Sequence, residues 1–401
     1  MFITANREEL LSAAQDALAV CPAKSPLPEL DCAFLATEDG KLTVAGGNLQ
    51  VALERRIPVT IGEEGAIIID AQLLVDMLRR LAGDTVTIKR NDNGYAELTS
   101  GEAFYGVSTL DSAKYPRLDI PYPEDTVGVT GIPALAKRTV FAVAETEDKP
   151  LMKCVHLTFS ADGLRAVGSD SFRIAAAKGE SKSAATADLL IPADSLAKLA
   201  RLVGNKDELR VGTTGHTVVF MKEDFIFSAR LMQGEYFDSA KLLSGVRPSF
   251  IVLTDAALLR DAMSSVYAVI GEHNRFNLTF DGSRLRMTCE SEYGASTKEL
   301  DTVPLSGNPA GTFWYNPEKL LECFRALGGT MMLKTAANGM LVMETDELTC
   351  LQVPTREPKA VERIAVRQRS VKETPEKKPE KEAKPKGKRK KKEPAEDSKA
   401  A

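Results

Sequence analysis

The residues able to do chemistry are few and scattered. Six cysteines stand at 21, 32, 154, 289, 323 and 350, with no CxxC pair and no zinc-type spacing. They read as reduced, mostly buried thiols, because a free cysteine packs as a small apolar side chain. His156, His216 and His273 are isolated in sequence, and each reads as a structural or surface residue, not a metal ligand. There is no P-loop, no HExxH and no Gly-x-Ser-x-Gly nucleophile turn. The expectation is a protein without a catalytic centre, metal or cofactor.

Charge carries more information. The formal net charge is −4, but residues 359–401 hold 16 Lys+Arg against 8 Asp+Glu, leaving residues 1–358 with 36 against 48. An acidic body repels polyanions over most of its surface, so any nucleic-acid contact must use a local basic patch. Beyond residue 372 the chain is mostly Lys, Glu, Pro and Ala without aromatic or large aliphatic residues, and it cannot bury a core. Residues 359–401 are expected to be a disordered basic tail, either an arm for a polyanion or a solubilising appendage.

The elements that would position any site come from an internal repeat. LTVAGGN from Leu42, LRAVGSD from Leu164 and LRMTCES from Leu285 begin 122 and 121 residues apart. VDMLRRLAG from Val75, LAKLARLVG from Leu196 and LECFRALGG from Leu321 form a second set, in which Leu78, Leu199 and Phe324 match. A period near 120 is too long for a solenoid unit and indicates three tandem domains of one fold. The expected boundaries are 1–125, 126–246 and 247–358. Each repeat reads as a short strand leading a helix (residues 1–5 and 7–20, 126–130 and 132–143, 250–253 and 256–270), then alternating strands, a second helix and more strands. Asn316 and Pro317 mark the start of the third repeat's second helix, and Gly328 and Gly329 mark its stop. The second helices carry cations away from their apolar stripes: Arg79 and Arg80, Lys198 and Arg201, Arg325. The N-terminus is broken by Asn6, Arg7, Glu8 and Glu9 and does not read as a signal peptide. No apolar run approaches the ~20 residues of a membrane span, and a cytoplasmic protein is expected.

Residues 1–357 resemble the bacterial DNA sliding clamp family, the DNA polymerase III beta subunit. Thr4, Arg7, Leu10 and Leu11 open the chain as that family does, and Leu27-Pro28 follows the first helix at the family's place. VGSDSFRI from Val167 is similar to the family segment VATDGHRL, and DFIFSARL from Asp224, with Gly234 and Asp238, to the strand and turn ending its second domain. LQVPTR from Leu351 is similar to its C-terminal MPMR. The resemblance implies an α+β fold of three clamp domains, each of two helices and two antiparallel sheets. It implies a homodimeric head-to-tail ring around duplex DNA, gripped through phosphates without sequence reading, and no enzymatic activity. It implies DNA contact by Lys24, Arg79, Lys149, Lys198 and Arg201. A pocket for short peptide motifs of the DNA polymerase III catalytic subunit and clamp loader would use Met152, Ser169, Ser171, Phe172, Arg173, Ile174, Phe237, Lys241, Leu242, Leu351, Val353, Pro354 and Arg356. The dimer seam would use Tyr105 and Val107 on one edge and Val269 and Ile270 on the other.

The chain departs from the pattern at informative places. Ser171 and Phe172 stand for Gly and His, Phe237 for Pro, and Thr355 for Met. Glu102 stands where relatives are basic, and Lys298 within an acidic stretch, a swap that would favour self-pairing over mixed rings. The alternatives to a processivity clamp are a paralogue acting as scaffold or competitor, and a protein whose tail alone binds nucleic acid.

Overall fold

The computed structural model describes residues 1–91, 93–116, 120, 122–160, 163–180 and 187–359. The expected disordered tail lies outside the described residues, apart from Lys359.

Three copies of one unit follow each other. In the first, strand Phe2–Asn6 leads helix α1 (Arg7–Val20), and helix α2 (Ala71–Arg80) follows four strands. In the second, Val127–Val129 leads α3 (Ile132–Thr139), and α4 (Ala193–Leu202) follows. A short helix, α5 (Ser239–Gly245), bridges to the third, where Pro248–Asp255 leads α6 (Ala256–Tyr267) and α7 (Pro317–Ala326) follows. Helix starts are set by polar caps. Asn6 accepts from the N–H groups of Glu8 and Glu9, Asp70 from Leu73, Asp255 from Ala257 and Asn316 from Lys319. The stop at Gly328 and Gly329 is not realised as expected. Helix α7 ends at Ala326 with Leu327 extended, and Gly329, left-handed at φ +69, instead offers its carbonyl to Ala256 N–H. Helices α3 and α6 are also shorter than their periodicity predicts: α3 tightens into a 3₁₀ turn at Val140–Ala142, and α6 closes at Tyr267.

The repeated strand motif has a packing reason. Each copy lays its first helix across the strand that carries Leu42 (Lys41–Gly47), Leu164 (Gly163–Ser169) or Leu285 (Arg284–Ser291), all three leucines buried. A Cβ on Gly46 would lie 2.5 Å from Ala17 O, and one on Gly168 only 2.2 Å from Thr139 O. Glycine four residues after the leucine lets helix backbone meet sheet backbone in the first two copies. The third copy has buried Cys289 there, in the same core as Met263 and Val266 of α6.

The sheets do not stop at the copy boundaries, and each copy does not own two closed sheets. Strand Val51–Glu63 of the first copy pairs with Phe225–Arg230 of the second, Arg55 facing Phe225. Strand Arg173–Gly179 of the second pairs with Leu348–Gln352 of the third, Ala177 facing Leu348. Among the described residues this yields sheets of twelve, nine and four strands, over one apolar core running through all three copies. Among the described residues, two of the terminal strands of these sheets lie at the outer ends of the three-copy array. One is Ala103–Ser108, the last strand of the first copy; the other is Gly294–Asp301 of the third.

Candidate functional site

The groove predicted from residues 152–174 and 351–356 forms where the second and third copies join. Pairing of Arg173–Gly179 with Leu348–Gln352 puts Ile174, Ala176 and Leu351 on one face with Val167 and Val342, a small apolar cluster. Tyr236, Phe237, Leu243, Val246 and Val353 partly cover it. Helix α5, capped by the Asp238 carboxylate on Lys241 N–H, places Leu242 half-exposed. Ser169, Ile174 and Leu351 are buried and make the floor, while Met152, Val353 and Pro354 are partly exposed and Lys241 and Arg356 exposed. Phe237 stacks on Tyr236, ring centroids 4.6 Å apart, and fills part of the floor. Behind it, His156 rests on Tyr236 at 4.9 Å and is bonded to Asp188, a structural role as expected.

The turn at 169–173 is built to present Phe172. The Asp170 carboxylate accepts from the N–H groups of Phe172 (2.9 Å) and Arg173 (3.0 Å), and the Phe172 carbonyl accepts from Val353 N–H (2.9 Å). Backbone pinned on both sides, the Phe172 ring stands 57% exposed, with Lys319 Nζ 5.6 Å from its centroid. Ser171 takes a left-handed φ of +77, the conformation that favours the glycine it replaces. Its hydroxyl meets Lys149 Nζ at 3.1 Å and Met152 Sδ at 3.3 Å.

Two predicted site residues point elsewhere. Arg173 is only 5% exposed and does not face the groove. Its guanidinium donates to Phe141 O (2.5 Å), Lys319 O (3.1 Å) and Glu322 Oε2 (2.5 Å), and sits 3.2 Å from Asp170 Oδ2, which also holds Lys319 Nζ at 2.5 Å. It clamps the second copy to α7 of the third. Lys198 is turned back as well: its side chain is 18% exposed, held 3.1 Å from Asp194 and close enough to act on the Cys21 thiol in the seam between the first two copies. Sequence spacing placed it on the polar face of α4 but could not see the neighbouring copy.

The remaining DNA-contact candidates are accessible. Lys24 is exposed in the loop after α1, Arg79 and Arg201 in the last turns of α2 and α4, and Lys149 at the groove rim. Sequence reasoning missed a larger concentration. At the join of the second and third copies a cavity of about 440 Å³ is lined by Lys137 and Arg138 of α3, Arg260 of α6 and Arg325 of α7, with one carboxylate, Glu347, already bonded to Arg138. A signal was available in Arg325, which matches Arg79 in the repeat. The cations of α3 and α6 match nothing and come together only through folding.

At the edges Ala103–Ser108 and Gly294–Asp301 the seam residues are mixed. Tyr105 is half-buried, and Val269 and Ile270 are partly exposed at the end of α6. Val107 is 5% exposed and packs inward. The exposed apolar residue on that edge is Phe104, which the sequence reading passed over. All six cysteines are free, five of them buried. Burial pushes Cys21, Cys154 and Cys289 up to about 11 and Cys32 to about 12, so they are protonated, unreactive thiols. Among the described residues no helix is long and apolar enough to cross a membrane.

Three tandem α+β copies joined by continuous antiparallel pairing, with a groove at one join, define the sliding-clamp class of architecture. The sequence matches the DNA polymerase III beta subunit N-terminal domain over residues 1–119 and its central domain over residues 129–238. It is 26% identical to the beta sliding clamp of Bacillus subtilis over 348 residues, 82% of this chain and 91% of that protein. It is also 26% identical to the beta sliding clamp of Lactococcus lactis over 320 residues, 76% and 84% of the two chains. Among solved structures, a Bacillus subtilis DNA polymerase sliding clamp superposes with a TM-score of 0.83 at 21% identity, covering 89% of this chain and 99% of that one. A putative DNA polymerase III beta subunit from Eubacterium rectale gives 0.84 at 17% identity, covering 89% and 100%. The chain belongs to the DNA polymerase III beta subunit family, whose members are processivity factors and not enzymes.

Proposed function

We propose that two copies of this chain close head to tail as a ring around duplex DNA and tether the replicative polymerase to it. The observation that carries this reading is the identity of two terminal strands, Ala103–Ser108 and Gly294–Asp301. The strand Phe225–Arg230 that pairs at the first join and Leu348–Gln352 at the second are the last strands of their copies, and Ala103–Ser108 is the last strand of the first copy. Their partners, Val51–Glu63 and Arg173–Gly179, correspond to Gly294–Asp301 in the third. These two strands are therefore the two halves of a third join, and a second chain supplies what each lacks. Two chains make six equivalent joins and cover both of these edges, which also removes them as sites of edge-to-edge aggregation.

On this reading the copies are domains 1–125, 126–246 and 247–358. DNA is held through phosphates by Lys24, Arg79, Lys149 and Arg201. The groove takes short peptides of the DNA polymerase III catalytic subunit and clamp loader, with Met152, Phe172, Leu242, Val353 and Pro354 as its contact surface. The protein works in the cytoplasm, where the chromosome of a bacterial cell lies. The test is retention on nicked circular against linearised DNA at about 0.3 M salt, where simple phosphate contacts are already weak. A loaded ring stays on the circle and slides off the linear form. Equal loss from both would replace this reading with that of a scaffold paralogue.

A further inference from the structure

The chain leaves each copy in the same way. Leu110, Met232 and Thr355 follow the last strands of the three copies, and each donates its N–H to the carbonyl three residues before the second helix: Ile68 O at 3.2 Å, Leu190 O at 2.9 Å and Trp314 O at 2.8 Å. The acceptor residues are partnered in their sheets by Phe34, His156 and Asn277. The first two linkers then lay a ring on that partner, Tyr115 on Phe34 at 5.1 Å and Tyr236 on His156 at 4.9 Å. They go on across the join to cover apolar side chains of the next copy. Ile120 packs on Val219, Met221 and Ile226, and Leu243 and Val246 pack on the cluster that holds Val342 and Leu351.

We propose that residues 358–363 are the third linker, and that in the ring they cross the closing join so that Val361 of one copy covers Phe104 of the other. The inference rests on the ring reading and adds a strap made by the chain beyond the last strand. Phe104 is the second residue of its strand Ala103–Ser108, as Ile226 is of Phe225–Arg230. Ile226 is 6% exposed in the cluster with Ile120, whereas Phe104 is 59% exposed. The neighbouring strand adds little cover, because Thr99 faces Phe104 where Met221 faces Ile226. What the first join has and this edge lacks is the linker.

The described part of the segment already heads that way. Glu357 is bonded to Arg275 at 2.8 Å, and that guanidinium stands 5.0 Å from the Trp314 ring and 3.4 Å from Glu290 on the next strand. The strand order from there is Arg275–Asp281, Arg284–Ser291 and Gly294–Asp301. In the ring the partner's Ala103–Ser108 comes next. Three strand spacings of about 4.8 Å make about 14 Å. Four residues of extended chain, from Glu357 to Val361, span about 13–14 Å. The first two linkers take longer because each spends residues on a helical turn, Ser112–Lys114 and Ser239–Gly245, and no such turn occurs in residues 353–359. Within residues 358–363 Val361 is the one large aliphatic side chain, and setting it on an exposed phenylalanine removes apolar surface of both from water. Residues 360–363 lie outside the described residues, and their place follows from the repeat.

Cysteine cross-linking in the full chain tests the contact. Val361→Cys with Phe104→Cys should, on mild oxidation, give a covalent dimer on a denaturing gel. Phe2 lies on the same sheet face as Phe104 but three strands further in. Val361→Cys with Phe2→Cys should therefore give little more than either single variant. Val361→Asp should raise the dimer dissociation constant about tenfold or more, the scale of one buried valine. Phe104→Ala should have a similar effect, and the two changes together should be little worse than either, since both break one contact. A dimer by mass that cross-links no better at 104 than at 2, or is indifferent to Val361→Asp, would overturn the strap, give Phe104 to another partner and leave the ring reading standing. A wild-type chain that stays monomeric at every concentration would overturn both.

Discussion

Residues 169–174 separate what a side chain type reveals from what only its surroundings reveal. Phe172 was read as a groove residue, and the structure leaves its ring 57% exposed on a pinned backbone. Arg173, its neighbour, was read into the same groove and instead ties Asp170, Glu322 and two backbone carbonyls across the join. The two should therefore respond oppositely. Phe172→Ala should leave the unfolding midpoint unchanged and weaken a labelled polymerase-type peptide by about tenfold, the scale of an aromatic hot spot. Arg173→Ala should cost about 3 kcal/mol in chemical denaturation, because it leaves the buried Asp170 carboxylate short of a partner. Equal stability of the two variants would return Arg173 to the groove. A third residue sets a pH limit. The N–H of Gly204, then Lys222 at 3.0 Å, holds the Asp207 carboxyl below its ordinary value. Its folded pKa is depressed, so its contribution is present above pH about 4 and lost as pH falls through the lower folded value. Asp207→Asn should flatten the acid side of the stability profile in that window and leave neutral pH nearly unchanged against the same variant's own baseline.

At the scale of elements the repeat was the informative signal, and its reason is steric. The matching of LTVAG and LRAVG is the matching of two places where helix backbone crosses sheet backbone, and the leucines lie in the core on either side. Helix starts were legible because caps are local. Helix ends and sheet membership were less so. The halt of α7 before its glycines and the running of sheets across the copy boundaries are set by partners distant in the chain, to which periodicity is blind. Gly168→Ala should cost about 1–3 kcal/mol, the usual penalty of overpacking, and Gly46→Ala a similar amount. Cys289→Ala, at the equivalent place in the third copy, removes one buried sulfur without a backbone clash and should cost less than either. Thermal unfolding of the three variants checks the order. A Gly168→Ala variant as stable as wild type would mean that α3 can lift from the sheet, and the close approach would lose its role as the cause of the repeat.

Across the whole molecule the joins differ in charge where they are alike in form. The helix side of the first join opens into a cavity of about 480 Å³ with Glu8, Glu9, Asp207, Glu223 and Asp224 against Arg55, Arg56 and Lys222. Its cations are partly spent, Lys222 on Asp207 and Arg55 on Asp16. The corresponding region of the second join holds Lys137, Arg138, Arg260 and Arg325 in one cleft, and among the described residues no carboxylate pairs with Lys137, Arg260 or Arg325. An adjoining cleft of about 400 Å³ adds Lys178 but also Glu180 and Asp346, so the free positive charge gathers on the side of α6 and α7. Polyelectrolyte binding follows the local sign of charge, because each neutralised phosphate releases a counterion. On the ring reading, duplex DNA should thus lean on the second join and avoid the first. Lys137→Glu with Arg325→Glu, both exposed, should leave the fold and dimer mass intact and reduce the log–log salt slope of binding to a short duplex by about 2, near −0.9 for each phosphate no longer neutralised. Glu8→Lys with Glu9→Lys at the first join should steepen it. Retention of preloaded protein on nicked circles at high salt should not change in either variant, since a closed ring is held by its topology. Equal shifts from the two pairs of substitutions would mean that DNA feels only the net charge of the ring, and the difference between the joins would then have no bearing on how the duplex lies.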